Sequence, residues 1–253
     1  MKKKYLFVAN WKMYLSFEQA LEFAAQHYDD FIALTKDFAC PIIICPDFTS
    51  LTSLKKIFKS TDILFGAQDC SSHARGAFTG QVCAESLRQI GCDYCIIGHS
   101  ETRINAKHDD KEISNKFLQL IAQGISPIIC IGEQEEDYKK GNVFQVLEKQ
   151  LMGILSRVSA DQHLYQDLSI CIAYEPVWSI GTAQIPSQDH LNNVFSWLAD
   201  KVKKNNKTID WKLIYGGSVA PENIGFFKKI DMIDGFLIGG ASVDFQKLKK
   251  IVQ

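Results

Sequence analysis

Residues 94–101 read Tyr94-Cys-Ile-Ile-Gly-His-Ser-Glu101. Four uncharged residues, two of them β-branched, form a run too short for a helix and suited to a fully buried strand. A glycine then frees the backbone to turn. Histidine, serine and glutamate follow at once, so polar groups are delivered at the C-terminal end of an apolar strand. Further short apolar runs fall at 5–9, 41–45, 62–66, 127–131, 169–174, 211–215 and 235–239, making eight. Most are apolar on both alternating faces, as in parallel sheets covered on both sides.

Helical periodicity fills the intervals. At 16–30, Ser16 supplies a cap and Phe17, Ala20, Leu21, Ala24 and Tyr28 recur at helical spacing. Comparable patterns predict helices over 50–59, 84–90, 111–123, 143–158, 188–204, 221–228 and 243–251. Gly91 and Gly124 stand where C-terminal helix caps belong. Eight strand–helix pairs predict a single α/β domain over 1–253, a (β/α)8 barrel. The competing open doubly wound sheet usually carries Gly-x-Gly-x-x-Gly after its first strand. Here that strand ends Asn10-Trp-Lys-Met13, without glycine. No linker or low-complexity segment marks a second domain.

The chain has 253 residues, 46% of them apolar and 23% charged, as in ordinary globular proteins. Its net charge is −1 and only four residues are arginine, which excludes a global basic field for nucleic acid or an anionic membrane. The apolar run after Lys2–Lys4 stops at Asn10, short of a secretory signal, and no stretch reaches a membrane span. A cytoplasmic protein is expected. Several of the eight cysteines sit inside apolar runs, among them Cys45, Cys130 and Cys171, and read as reduced, buried thiols.

Catalytic groups of a barrel sit at the C-terminal strand ends. Strand one ends at Asn10, with Lys12 beyond it. Strand four ends in His99, and strand six in Tyr174-Glu175-Pro176. Strands seven and eight end in Gly216-Gly-Ser218 and Gly239-Gly-Ala-Ser242. Singly, each polar residue has an ordinary structural reading; together they place an amide, an ammonium, an imidazole and a carboxylate on one rim. The glycine turns, each ahead of a helix pattern, suit a phosphate bound by backbone N–H groups. Cys92-Asp-Tyr-Cys95 lacks the further ligands of a zinc site and reads as structural. His108 with Asp109, Asp110 and Glu112 reads as a solvated helix start. No metal or cofactor is expected.

These segments, with Gly76-Ala-Phe-Thr-Gly80, Cys130-Ile-Gly-Glu133, Ala173-Tyr-Glu-Pro-Val-Trp178 and Ile180-Gly-Thr182, resemble the triosephosphate isomerase family over essentially the whole chain. The resemblance implies interconversion of dihydroxyacetone phosphate and D-glyceraldehyde 3-phosphate without a cofactor. It makes Glu175 the base, His99 the electrophile, Lys12 the charge stabiliser and Asn10 a hydrogen-bond donor. It assigns Gly181, Ser218, Gly239 and Gly240 to the phosphate, 177–184 to a lid, and residues 72–81 (Ser72 to Gln81) to a homodimer contact in which Thr79 reaches the partner subunit. Two other readings stay open on the residues alone: a related phosphate-binding barrel enzyme, and a barrel that binds a partner protein.

The chain departs from the family pattern at a few places. Tyr14 replaces an asparagine near the expected interface. Thr102 replaces the first of two arginines, removing a partner from an ion pair, and Arg103 keeps the second. Ser179 replaces a lid alanine, a small change. The second lid hinge reads Ala183-Gln-Ile-Pro186. The resemblance implies that Tyr215 latches the closed lid through the amide at position 186, and proline has no N–H to give.

Overall fold

The computed structural model describes residues 3–38, 40–158, 162–182, 184–206 and 208–253. The hinge residue Ala183 lies outside them. In chain order the elements are β1 (Leu6–Asn10), α1 (Phe17–Gln26), α2 (Tyr28–Phe38), β2 (Ile42–Cys45), α3 (Phe48–Ile57), β3 (Leu64–Ala67), α4 (Ala84–Gln89), β4 (Tyr94–Ile97) and α5 (Ser100–Asn105). They continue with α6 (Asp110–Ala122), β5 (Ser126–Ile131), α7 (Glu135–Lys139), α8 (Val143–Leu155), β6 (Ser169–Tyr174) and α9 (Gln188–Asn205). The last are β7 (Asp210–Tyr215), α10 (Ile224–Phe227), β8 (Gly235–Ile238) and α11 (Phe245–Val252). Short 3-10 turns cover Val177–Ser179 and Gly240–Val243.

All eight strands pair in parallel with their sequence neighbours, and β1 pairs with β8 to close the barrel. Alternation along each strand divides the core in two. Leu6, Val8, Ile43, Ile96, Ile128 and Ile214 fill the barrel with the thiols of Cys45, Cys130 and Cys171. Phe7, Ala9, Ile42, Ile44, Ile97 and Ile129 face outward and pack under the helices. This is why the strand runs are apolar on both faces. All eight cysteines are free, and only Cys83 is not buried.

The expected helix over 16–30 is two helices. A capping box between Ser16 and Gln19 starts α1. His27 ends it at φ −111°, held by a stack on Phe245 with ring centroids 4.5 Å apart, and α2 restarts at Tyr28. Tertiary packing of His27 overrides a periodicity that continues through the break. The short helices α5 and α7 also went unforeseen; each has too few residues to show a period. Strand β3 sits two residues later at its start than its apolar run, and the helix expected over 221–228 shrinks to the four residues of α10.

Candidate active site

Glu175 directly follows β6 and turns inward, 2% exposed. Its Oε2 accepts the N–H of Ser100, the first residue of α5, at 3.1 Å. Its Oε1 lies 3.2 Å from Nε2 of His99, yet the two are not aligned as a hydrogen bond and Oε1 has no hydrogen-bond partner. Two glycines make room for this residue. A Cβ on Gly216 would stand 2.9 Å from the Glu175 Cγ, and one on Gly132 only 1.7 Å from its carbonyl oxygen. Cys130, which fills the barrel below, has its thiol pushed well up by burial, with the nearby Glu175 charge adding to the effect.

His99 is the N-cap of α5, and its Nδ1 accepts the N–H of Glu101 at 3.2 Å. A ring that accepts at Nδ1 carries its neutral-state proton on Nε2, the nitrogen facing Glu175. Arg103 braces this turn by donating to the Gly98 and Cys130 carbonyls and pairing with Asp110 at 2.7 Å. An ion pair is therefore kept through Arg103, while the Thr102 hydroxyl donates to the His99 carbonyl at 2.9 Å.

Lys12 has φ +49°, a left-handed conformation unusual for a side chain of this size. Asn10 ends β1, and its Oδ1 accepts the Lys12 N–H at 3.1 Å. Gln68, just beyond β3, donates to the carbonyls of Lys12 and Cys45 at 2.8 and 3.0 Å. The Lys12 ammonium pairs with Glu101 at 2.7 Å, and a Cβ on Gly239 would stand 3.6 Å from it.

Gly181, at φ +69°, donates its N–H to Ser218 Oγ at 3.0 Å, and that hydroxyl donates to the Ser179 carbonyl at 2.7 Å. Ser179 is fully buried and its own hydroxyl donates to the Gln184 carbonyl at 2.8 Å. It ties residue 179 to residue 184 across the segment expected to form a lid, so serine in place of alanine there is more than a small change. Of the two glycine turns, only Gly239-Gly240 leads straight into a helical turn, Gly240–Val243. Five residues separate Ser218 from α10, so no helix N-terminus backs that turn. The Tyr215 hydroxyl is buried near the Ser179 side chain and makes no aligned hydrogen bond.

Asn10, Lys12, His99, Glu175, Gly181, Ser218, Gly239 and Gly240 all line one cavity of about 280 Å³ at the C-terminal strand ends. Tyr14 joins them, its ring 3.8 Å from a Cβ built on Gly240. A larger hollow of about 550 Å³, beside Trp211 and Met232, lies at the opposite end of β7 and holds none of these groups. The expected solvated helix start at His108 is instead a packed ion cluster. Lys116, 2% exposed, places its ammonium 2.8 and 2.9 Å from the Asp69 carboxylate and 3.0 Å from His108 Nδ1. A lysine already occupies the centre of that cluster, and no group among the described residues suits a metal ion.

Sequence reasoning did not single out Gln68, Gln150 or the surroundings of Trp178. Gln150 clasps Gly132 through both its N–H and its carbonyl, at 2.9 and 3.0 Å. Gln68 was findable as the first polar residue after a strand. Gln150 lies within α8, where nothing local marks it.

A closed parallel barrel carrying a carboxylate, an imidazole and an ammonium on its C-terminal rim defines a (β/α)8-barrel enzyme of acid–base chemistry. The family model described as triosephosphate isomerase matches residues 5–253. The chain is 36% identical over 250 residues to the triosephosphate isomerase of Aquifex aeolicus (strain VF5), covering 98% of each. It is 36% identical over 249 residues to that of Wolbachia pipientis wMel, covering 98% of this chain and 93% of the relative. A crystal structure of triosephosphate isomerase from Bartonella henselae superposes with a TM-score of 0.83 at 28% identity, covering 98% and 97%. The chain belongs to the triosephosphate isomerase family.

Proposed function

We propose that this barrel interconverts dihydroxyacetone phosphate and D-glyceraldehyde 3-phosphate, and that Glu175, His99, Lys12 and Asn10 carry the reaction. The observation behind it is the unpartnered, buried Glu175 Oε1 in the same small cavity as the His99 Nε2. Glu175 takes a proton from the carbon beside the substrate carbonyl. The electron pair left behind makes an enediolate, whose oxygen gains charge. A hydrogen bond from His99 Nε2 and the positive charge of Lys12 stabilise that oxygen as it develops. His99 gives its Nε2 proton to the former carbonyl oxygen and takes the hydroxyl proton from the neighbouring oxygen, and Glu175 returns the carbon-bound proton to the adjacent carbon, so that ketose becomes aldose. Asn10 positions Lys12. The turns at Gly181, Ser218, Gly239 and Gly240 hold the phosphate through N–H and hydroxyl groups. The lid excludes water, which protects an intermediate able to shed phosphate.

A coupled assay of triose phosphate interconversion tests this. Glu175→Gln keeps the shape and removes the base, and should lower kcat by roughly 10²–10⁴-fold. Equal activity in both proteins overturns the assignment.

The same reading makes the chain a homodimer through 72–81. Its support is apolar exposure in segments at the C-terminal strand ends. Met13 is 92% exposed, and Tyr14, Phe17, Phe48 and Phe78 are also exposed. The chain is one catalytic domain, and no described helix is long and apolar enough to cross a membrane.

A further inference from the structure

The base Glu175 sits between two side chains tied to one buried carboxylate. Trp178 Nε1 donates to Glu133 Oε1 at 2.7 Å, and the Tyr174 hydroxyl is 3.1 Å from the same oxygen. Glu133 is fully buried, its Oε2 has no partner, and burial raises its carboxyl above the usual range. On its other side the Tyr174 hydroxyl lies 2.7 Å from His190 Nε2. His190 stands in the first turn of α9, just beyond the lid, whereas Trp178 stands at its start. The imidazole also meets the Tyr138 ring edge-on, with centroids 5.2 Å apart, and Tyr138 stacks on Trp178 at 4.3 Å. One polar chain thus joins both ends of the lid behind the base: His190, Tyr174, Glu133, Trp178.

Resting on the proposed isomerisation, we infer that His190 is a positioning residue that sets the Tyr174–Glu133–Trp178 chain and so governs the lid. Tyr174 has one hydroxyl proton for two neighbours. When neutral His190 accepts at Nε2, the tyrosine proton points to it and the indole N–H is the one side-chain donor left to Glu133. When His190 is protonated, Nε2–H donates to the Tyr174 oxygen, and the tyrosine proton turns to Glu133. The second donor holds the buried carboxyl in its charged form, and a charged acceptor grips the Trp178 N–H more strongly than a neutral one. His190 faces Tyr174 from β6, Tyr138 from α7 and Trp178 from the lid. Asp189 is its neighbour on α9, and Asp137 acts on Glu133. Burial lowers the imidazole below its ordinary 6.5, so the pinned arrangement belongs to acid.

The test compares wild type with His190→Gln and His190→Leu between about pH 5 and 7. Ratios of variant to wild type cancel every titration that the proteins share, that of the substrate phosphate included. Wild-type kcat should fall in acid by about 2- to 10-fold more than that of His190→Gln, the factor one hydrogen bond carries. His190→Leu, which leaves Tyr174 only Glu133 as an acceptor, should show the lowered kcat at every pH. In each case KM should change less than kcat. An active wild type whose variants share its profile overturns the inference and leaves the isomerase reading standing. The Trp178 indole N–H resonance, assigned with Trp178→Phe, gives a readout free of catalysis. It should titrate in wild type and not in His190→Gln. A resonance that titrates equally in both overturns the inference, even for a chain without isomerase activity.

Discussion

Glycine at position 216 shows what single residues contribute here. The space it leaves is filled by the Glu175 side chain, 2.9 Å from where a Cβ would stand. Gly216→Ala should therefore push the carboxylate off its position while the strand ends stay put. Misplacing a reacting group by about 1 Å costs roughly 10²-fold in rate. The expected result is a large loss of kcat with a thermal midpoint within a few degrees of wild type, and an unchanged kcat refutes the argument. Sequence alone marked Gly216 only as part of a turn after β7. That the turn packs on Glu175, just past the end of β6, depends on the pairing of β6 with β7 and could not be read locally. His99 and Glu175 were legible because each ends an apolar run. Gln68 and Gln150 act through backbone atoms distant in sequence and left no such mark.

Among the elements, the proposed lid at 177–184 carries the chain's own character. Ser179 ties its start to Gln184, and Gly181 docks on Ser218. The Tyr215 hydroxyl, in contrast, is buried near Ser179 without an aligned hydrogen bond, and a Cβ on Gly217 would stand only 2.2 Å from it. Proline at 186 has no N–H to offer that hydroxyl. Pro186→Ala supplies one, and should tighten binding of a phosphorylated enediolate mimic by roughly 2- to 10-fold. The measurement is inhibition of the isomerase by that mimic. Equal inhibition constants and equal turnover remove the hinge from consideration. The elements themselves were legible to different degrees. All eight strands were, since burial on both faces writes an apolar run. The break at His27 was not, because the stack on Phe245 that holds it joins the two ends of the chain.

For the whole molecule, the exposure of Met13, Tyr14, Phe17, Phe48 and Phe78 sets a cost that association removes. Thr79 lies in the exposed loop at 72–81. Thr79→Arg places a charge in the proposed contact and should convert the dimer to monomers with much reduced activity, as read by analytical ultracentrifugation and the coupled assay. A fully active dimer moves the contact elsewhere. The eightfold architecture was the most legible feature, since the strand–helix alternation repeats. The closure of that repeat has a consequence for synthesis. Strand β1 pairs with β2 on one side and with β8 on the other, Val8 opposite Leu237. A ribosome makes β1 first and β8 last. Until Ile238 has emerged, every growing chain displays two open strand edges, those of β1 and of its most recent strand. Such edges invite pairing with other chains. Nascent copies of this protein are therefore most open to aggregation until the final strand seals the ring.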